Sequence, residues 1–244
     1  MLREHEDAFG QSMFDFYSGK GGYEVVERDD GLVAIAGGPR TYLAEYKDWS
    51  VHQKKALRFA RGKVLDIGCG AGRHALYLQE KGLDVLGVDA SPLAIKICKL
   101  RGLRKTKLLS ITQLTRSLGT FDTMLMLGNN FGLFGSFGRA RWLLKRFYRM
   151  TPDEARIIAE TRDPYGTDDP CHLAYHKLNR KRGRMSGQLR IRIRYKTYAT
   201  PWFDYLLVSK DEMRAILDGT GWQVTRFMDT ADPAYVAAII GKQQ

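Results

Sequence analysis

The sequence is poor in cysteine and proline, with three and seven in 244 residues, and it has no long apolar run. Cys69, Cys98 and Cys171 are scattered and odd in number. That excludes a disulfide framework, shows no metal-ligand spacing and points to a reducing compartment. No apolar stretch approaches the roughly 18 residues that a membrane span needs, and the charged start MLREHED has no signal-peptide apolar region. A cytoplasmic location without a metal centre or membrane partner is the expectation. There is no low-complexity tract, internal repeat or linker, and the length suits one core better than two. Acid is missing from one place in particular. Residues 170 to 203 contain no Asp or Glu, but do contain Lys177, Arg180, Lys181, Arg182, Arg184, Arg190, Arg192, Arg194 and Lys196. Most of the formal charge of +12 sits there. A basic segment suits nucleic acid, a membrane surface or an anionic small molecule.

What is present alternates. YEVVERDDGLVAIA reads as a hairpin turning at Asp30-Gly31. KVLDIG, DVLGVD, TKLLS, FDTMLML and ARIIAE read as strands, with helices between several of them. One helix closes at Gly82, and another starts at Ser91-Pro92, a cap and first position. GSFGRARWLLKRFYRM is an amphipathic helix. LRIRIRY alternates strictly, as a half-buried antiparallel strand does. SKDEMRAILDGTGW restores a helix, and WQVTRF and YVAAIIGK close the chain. The expected fold class is α/β: a doubly wound, mostly parallel seven-stranded sheet, with an N-terminal β-hairpin and an antiparallel β insertion after the fifth strand. One domain covers 1–244. Within it, 1–55 form a hairpin and helix cap, 56–162 the core, 163–208 the basic insertion, and 209–244 the closing helix and two strands.

VLDIGCGAGRH packs Gly68, Gly70 and Gly72 directly behind an apolar strand. A helix N-terminus offers unpaired N–H groups and partial positive charge, and glycine lets a ligand approach the backbone. The nicotinamide fingerprint places its third glycine after two spacers. Here that glycine comes one residue early, and Arg73 stands where the fingerprint wants glycine. Asp66 precedes the loop and suits a cationic group better than a pyrophosphate. Asp89 ends the second strand of the alternation, where an acid can accept both ribose hydroxyls. A ligand with a cationic amino-acid end and a ribose fits both acids, and S-adenosyl-L-methionine has both.

The stretch VLDIGCGAGRHALYLQEKGLDVLGVDASPLAI resembles motifs I and II of the class I S-adenosylmethionine-dependent methyltransferases. The resemblance runs from about Lys63 to Glu160 and returns at GW and YVAAIIGK. It implies that Asp66, Gly68, Cys69, Gly70 and Gly72 hold the methionine end and that Asp89 holds the ribose. Ala90 then lies by the adenine. The fourth-strand motif Leu127-Gly128-Asn129-Asn130 lines the transfer site. Two departures stand out. Where many members have an acid after the third strand, this chain has Ser110-Ile111-Thr112, and Ser110 is a candidate partner for the adenine amine. The Asn/Asp-Pro-Pro-aromatic motif of base-amine methylases is replaced by GNNF. The chain also resembles an uncharacterised prokaryotic branch of the family, through its ERDDG hairpin and WFDYL segment.

Three segments are candidate walls for an acceptor. TYLAEYKDWSVHQ supplies Tyr42, Glu45, Tyr46, Trp49 and His52, unless these are ordinary core. GNNFGLFGSFG is either a flexible rim or a turn before a helix, with Asn129 its polar contact. In the insertion, Arg190, Arg192 and Arg194 face one way, as an anion platform or as a solvated strand face. Trp202, Phe203 and Tyr205 stand nearby with Asp204 as a candidate base. His172 and His176 share a helical face, a pattern common on ordinary surfaces. Asn129, Tyr46 and His52 are the catalytic candidates; Tyr42, Trp49, Arg192 and Trp202 are those for acceptor binding. The favoured reading is methyl transfer to a small or medium-sized, conceivably anionic, acceptor by a monomer or homodimer. The alternatives are RNA or DNA methylation through the basic insertion, and a cofactor-binding protein without transfer activity.

Overall fold

The computed structural model describes residues 2–228 and 230–243. In chain order the strands are β1 (Val25–Arg28), β2 (Val33–Ile35), β3 (Lys63–Ile67), β4 (Asp84–Asp89), β5 (Lys105–Leu108), β6 (Thr123–Met126), β7 (Arg156–Arg162), β8 (Gln188–Tyr195), β9 (Tyr198–Ala199), β10 (Phe203–Leu206), β11 (Trp222–Met228) and β12 (Tyr235–Lys242). The α-helices are α1 (Ala8–Tyr17), α2 (Gly38–Leu43), α3 (Val51–Leu57), α4 (Arg73–Glu80), α5 (Pro92–Leu100), α6 (Phe137–Tyr148), α7 (Pro170–Lys181) and α8 (Lys210–Leu217). The principal sheet has seven strands in the order β11-β12-β7-β6-β3-β4-β5. It is the α/β sheet expected from the alternation. No described helix is long and apolar enough to cross a membrane.

The chain forms two compact units. The first contains residues 1–49, 63–114 and 190–203. In it β3, β4 and β5 pair in parallel. Val64, Leu65 and Ile67 of β3 and Val85, Leu86 and Val88 of β4 are buried, so these strands read as continuous apolar runs. Ser91 Oγ accepts from Ala94 N–H at 3.0 Å and Pro92 opens α5, as the sequence predicts.

The N-terminal hairpin and the insertion are not separate. β1 pairs antiparallel with both β2 and β8, and β9 pairs with β8, in a second sheet. The alternation of LRIRIRY explains this: Ile191, Ile193 and Tyr195 are buried while Arg194 is exposed. Glu24, just before β1, is buried, with its carboxyl 3.0 Å from the Tyr42 hydroxyl.

Helix α1 carried no sequence signal that set it apart. Its cap, Asp7, is buried and serves two helices: its carboxylate accepts from Gly10 N–H at 3.0 Å, Ser91 Oγ at 2.9 Å and Leu93 N–H at 3.1 Å. Met13 packs with Ala71, Ala94 and Ile97, placing α1 against the glycine loop and α5. At its other end, Asp15 accepts from Tyr195 OH at 2.8 Å and from Lys196 Nζ at 2.6 Å.

The second unit contains residues 50–62, 115–189 and 204–244. β6 and β7 pair in parallel, and β12 runs antiparallel to both β7 and β11. β6 and the centre of β7 are fully buried. Trp222 is buried and donates its Nε1–H to Leu144 O at 3.0 Å, which fixes the start of β11 beside α6.

Burial pushes the Glu24 carboxyl up to about 7, against the weaker opposing effect of the Tyr42 hydroxyl. Folded and unfolded chains both hold this proton at low pH. As pH rises the unfolded chain ionises first, so Glu24 should cost about 3 kcal/mol of stability between its ordinary value and pH 7, and no more above that. Denaturant melts across that window should show the decline, and Glu24→Gln should flatten this part of it.

Candidate functional site

The turn after β3 in the first unit is built from backbone. Gly68, Gly70 and Gly72 all have positive φ, +71°, +55° and +78°, which L side chains rarely adopt. Gly72 has a second constraint, because a Cβ there would lie 2.9 Å from Cys98 Sγ. Gly68 and Cys69 both donate N–H to Val88 O, at 2.9 and 3.0 Å. Gly70 N–H donates to Asp89 Oδ2 and Ser91 N–H to Asp89 Oδ1, each at 2.9 Å. The loop is thereby tied to the tip of β4, and α4 starts immediately behind it.

Asp66, on β3, is buried, and its Oδ2 has no hydrogen-bond partner. Burial, and then the neighbouring charge of Asp89, push its carboxyl up to about 7. Burial likewise raises Asp89, while its bonds from Ser91 and Gly70 oppose the rise. Two carboxyls thus meet the glycine loop, one tied to backbone and one with an open oxygen. Cys69 is buried with its Sγ 3.8 Å from Cys98 Sγ. Ala90 follows Asp89 and is half-buried. Ser110 caps a short 3-10 turn and bonds Thr112 at 2.9 Å.

The aromatic residues before the loop join it in the same unit. Trp49 is buried, donates to Ala44 O at 2.9 Å and meets His74 edge-on, with ring centroids 4.7 Å apart. Tyr46 stacks on Tyr77 at 4.6 Å and 6°. Tyr42 is engaged with Glu24. Sequence reasoning passed over His74, which follows the glycines in VLDIGCGAGRH. It is buried with Nε2 unpartnered, and burial followed by the charge of Arg73 holds it well below the ordinary histidine value.

Arg192 has company that the acid-free stretch did not foretell. Glu27 on β1 takes its fork at 2.9 and 3.0 Å and also accepts from Arg194 at 3.3 Å. The Arg192 guanidinium lies 4.8 Å from the Trp202 ring centroid. The β1–β8 register, which sets Glu27 opposite Arg192, creates the pair.

In the second unit the carboxyl end of β7 supplies Glu160, 1% exposed and not among the expected site residues. Its carboxylate meets His52 Nε2 at 3.0 Å, and accepts from Gln53 Nε2 at 2.7 Å and Gly128 N–H at 2.7 Å. Burial opposes ionisation most strongly, but the bonds from His52, Gln53 and Gly128 take the carboxyl below its ordinary value. His52 Nε2 also lies 3.1 Å from Ser50 Oγ. Leu127 is buried behind Gly128. Asn129 has φ +66°, its carbonyl accepts from Tyr205 OH at 2.5 Å, and its Oδ1 is buried without a partner. A Cβ on Gly132 would lie 2.3 Å from the Tyr205 ring, so that glycine makes room for the WFDYL segment. Phe131 and Phe134 are buried, which makes GNNFGLF a packed turn. His172 and His176 lie on α7, with His172 Nδ1 3.1 Å from Thr167 Oγ1 and His176 beside Tyr165.

Residues 64–153 match the profile of a family described as a methyltransferase domain. That span contains the glycine loop, Asp89 and the Gly128-Asn129 turn. Residues 64–153 thus carry a methyltransferase domain. It resembles the solved S-adenosylmethionine-dependent methyltransferase of Bacteroides fragilis in complex with S-adenosyl-L-homocysteine, over 100% of this chain and 98% of that one, with 24% identity and a TM-score of 0.84. That likeness is one of fold. A 2-heptyl-1-hydroxyquinolin-4(1H)-one methyltransferase of Mycobacteroides abscessus is 41% identical over 64 residues, 23% of this chain and 28% of that protein. A glycine/sarcosine N-methyltransferase of Halorhodospira halochloris is 26% identical over 176 residues, 66% of this chain and 65% of that protein. The chain thus spans less than two thirds of either curated relative.

The Glu160 network generates a stability prediction. Glu160→Ala should destabilise the protein by about 3–5 kcal/mol, since it strands several buried donors at once. Glu160→Gln, which keeps an acceptor, should cost distinctly less. Chemical denaturation of the three proteins checks this order.

Proposed function

We propose that this chain transfers a methyl group from S-adenosyl-L-methionine to a small or medium-sized acceptor. The observation that carries the reading is the buried, unpartnered Asp66 Oδ2 at the glycine loop. An open carboxylate oxygen costs stability unless a cation or donor meets it. The amino group of the cofactor is such a cation, so the residues present fit the group. Asp66 and the loop N–H groups would hold its methionine end, Asp89 its ribose hydroxyls, and Ala90 and Ser110 its adenine side. Leu127, Gly128 and Asn129 would line the transfer site. When bound, the cofactor supplies an electrophilic methyl on sulfur.

The protein's own task is then positioning, water exclusion and removal of a proton from the acceptor. Glu160 orients His52, the candidate base, and the same carboxylate holds Gly128 N–H. The open Asn129 Oδ1 suits an acceptor that brings a hydrogen-bond donor. Tyr46 and Trp49 are engaged with Tyr77 and Tyr42 with Glu24, which favours a wall over proton transfer. An RNA or DNA acceptor would draw on the arginines of β8, but Glu27 already holds the Arg192 fork. That favours a small acceptor over nucleic acid, and leaves Arg192 and Trp202 a packed wall for it.

Calorimetric titration with S-adenosyl-L-methionine, S-adenosyl-L-homocysteine and NAD should give binding of the first two and none of NAD. Asp89→Ala should weaken cofactor binding by about 1–3 kcal/mol, the cost of unpaired hydroxyls. A cation at Asp66 favours its ionised form, whereas the free protein holds the proton up to about pH 7. Affinity should therefore rise as pH increases towards 7 and level off above it, with a proton released on binding below that point. Asp66→Asn should remove the pH dependence; its persistence would overturn the assignment.

A further inference from the structure

The second unit contains a cleft of about 700 Å³ at the foot of β7. Arg156 opens that strand, and Glu160 lies four residues on, about 13 Å away at strand rise. The cleft is therefore separate from the Glu160 network. Its shape follows from register. Arg156 pairs with Gly241 of β12, and Ile239 of β12 pairs with Arg226 of β11. Residues opposite each other share a face, and faces alternate along a strand. Arg156, Gly241, Ile239 and Arg226 thus share one face. Arg226 is there because the register shifts between Val224 and Arg226. Without that bulge it would oppose Ala238 and point to the other side. Gly241, opposite Arg156, makes room for the Thr225 methyl, which would lie 2.9 Å from a Cβ there.

Phe59 orients both guanidinium groups. Its carbonyl accepts from Arg156 Nη1 at 3.2 Å, and its ring centroid lies 5.4 Å from the Arg226 guanidinium. Neither arginine has a carboxylate within ion-pair distance among the described residues. Two acids line the cleft, Asp153 and Glu154, and both side chains stand in water. Glu154 is paired with Arg61 at 3.5 Å, outside the cleft, and Asp153 lies 3.7 Å from Lys242 Nζ. The Lys242 ammonium is held by Thr151 O at 2.8 Å and lies 4.0 Å from the Tyr148 ring centroid. Burial, and then Arg61, lower the Arg156 guanidinium, so an anion there would relieve it.

We propose that this slot binds the phosphate group of a small organic phosphate. Two arginine forks and the Thr225 side chain lining one cleft match the several oxygens and double charge of a phosphomonoester. The volume falls in the range of small-molecule clefts. The proposal stands on the second unit alone and does not rest on methyl transfer.

The test is an NMR titration of the whole protein without cofactor, using inorganic phosphate, ribose 5-phosphate, ribose, and a short oligoribonucleotide without terminal phosphate. Phosphate and ribose 5-phosphate should shift the amides of Ala155, Thr225 and Gly241 with one site per chain, and ribose should not. Arg226→Ala, a change at a solvent-facing side chain, and Arg156→Ala should each weaken ribose 5-phosphate by about tenfold, the loss of one charged fork. Arg116→Ala, outside the cleft, should leave it unchanged. Absence of shifts at these amides, an equal loss in Arg116→Ala, or binding of the oligoribonucleotide alone would each overturn the proposal.

Discussion

The tie that joins the cofactor-side loop to its candidate ribose acid is the Asp89 carboxylate on the N–H of Gly70. A turn with three left-handed glycines in five residues has almost no side chains to hold it. It needs an outside anchor, or conformational entropy would leave it in many states. Asp89 is one such anchor beside the Val88 carbonyl, and Ser91 N–H fixes its other oxygen. The carboxylate's remaining lone-pair capacity is what a ligand hydroxyl would use. The group that would receive the ribose is also the one that shapes the loop, so it is oriented before any ligand arrives.

Much of this was legible because the signals were local. Gly68, Gly70 and Gly72 sit in one pentapeptide, Asp66 lies within one strand of strong apolar pattern and Asp89 ends another, and Ser91-Pro92 announces its helix. The mostly parallel seven-stranded sheet follows from strand–helix alternation and two closing strands. Other features were not local. Glu160 sits in an unremarkable IIAETR strand, and its partners His52 and Gln53 lie 108 and 107 positions away. Nothing within a window around either residue predicts the other. Helix α1 was missed for the same reason: AFGQSMFDFY has glycine and aromatics that weaken its propensity, and it is held by Asp7 and Asp15 through distant partners.

The basic insertion shows the limit of counting charge along a chain. Residues 170–203 contain no acid, which suggested a bare cationic face. The acid that pairs with Arg192 and Arg194 comes from Glu27, 165 positions from Arg192, across the β1–β8 ladder. Composition reports the charge a segment carries; only topology reports what meets it. The foot of β7 makes the converse point. Arg156, Arg226 and Lys242 lie in three segments that draw no attention singly, yet a bulge and a glycine gather them around one cleft.

The double cap at Asp7 also bears on the order in which the protein assembles. Its carboxylate bridges the first turn of α1 to Ser91, 84 positions downstream, and Asp15 reaches Tyr195, 180 positions downstream. The first tie cannot form until the chain has passed Ser91 and α5 has started, and the second not until β8 has been made. Contacts of such sequence separation are late events in folding, since loop closure precedes their reward. The N-terminal helix is then the last piece to settle on the glycine loop. It is also a natural first piece to leave it, so exchange of its amides with solvent should report the cheapest opening of the first unit.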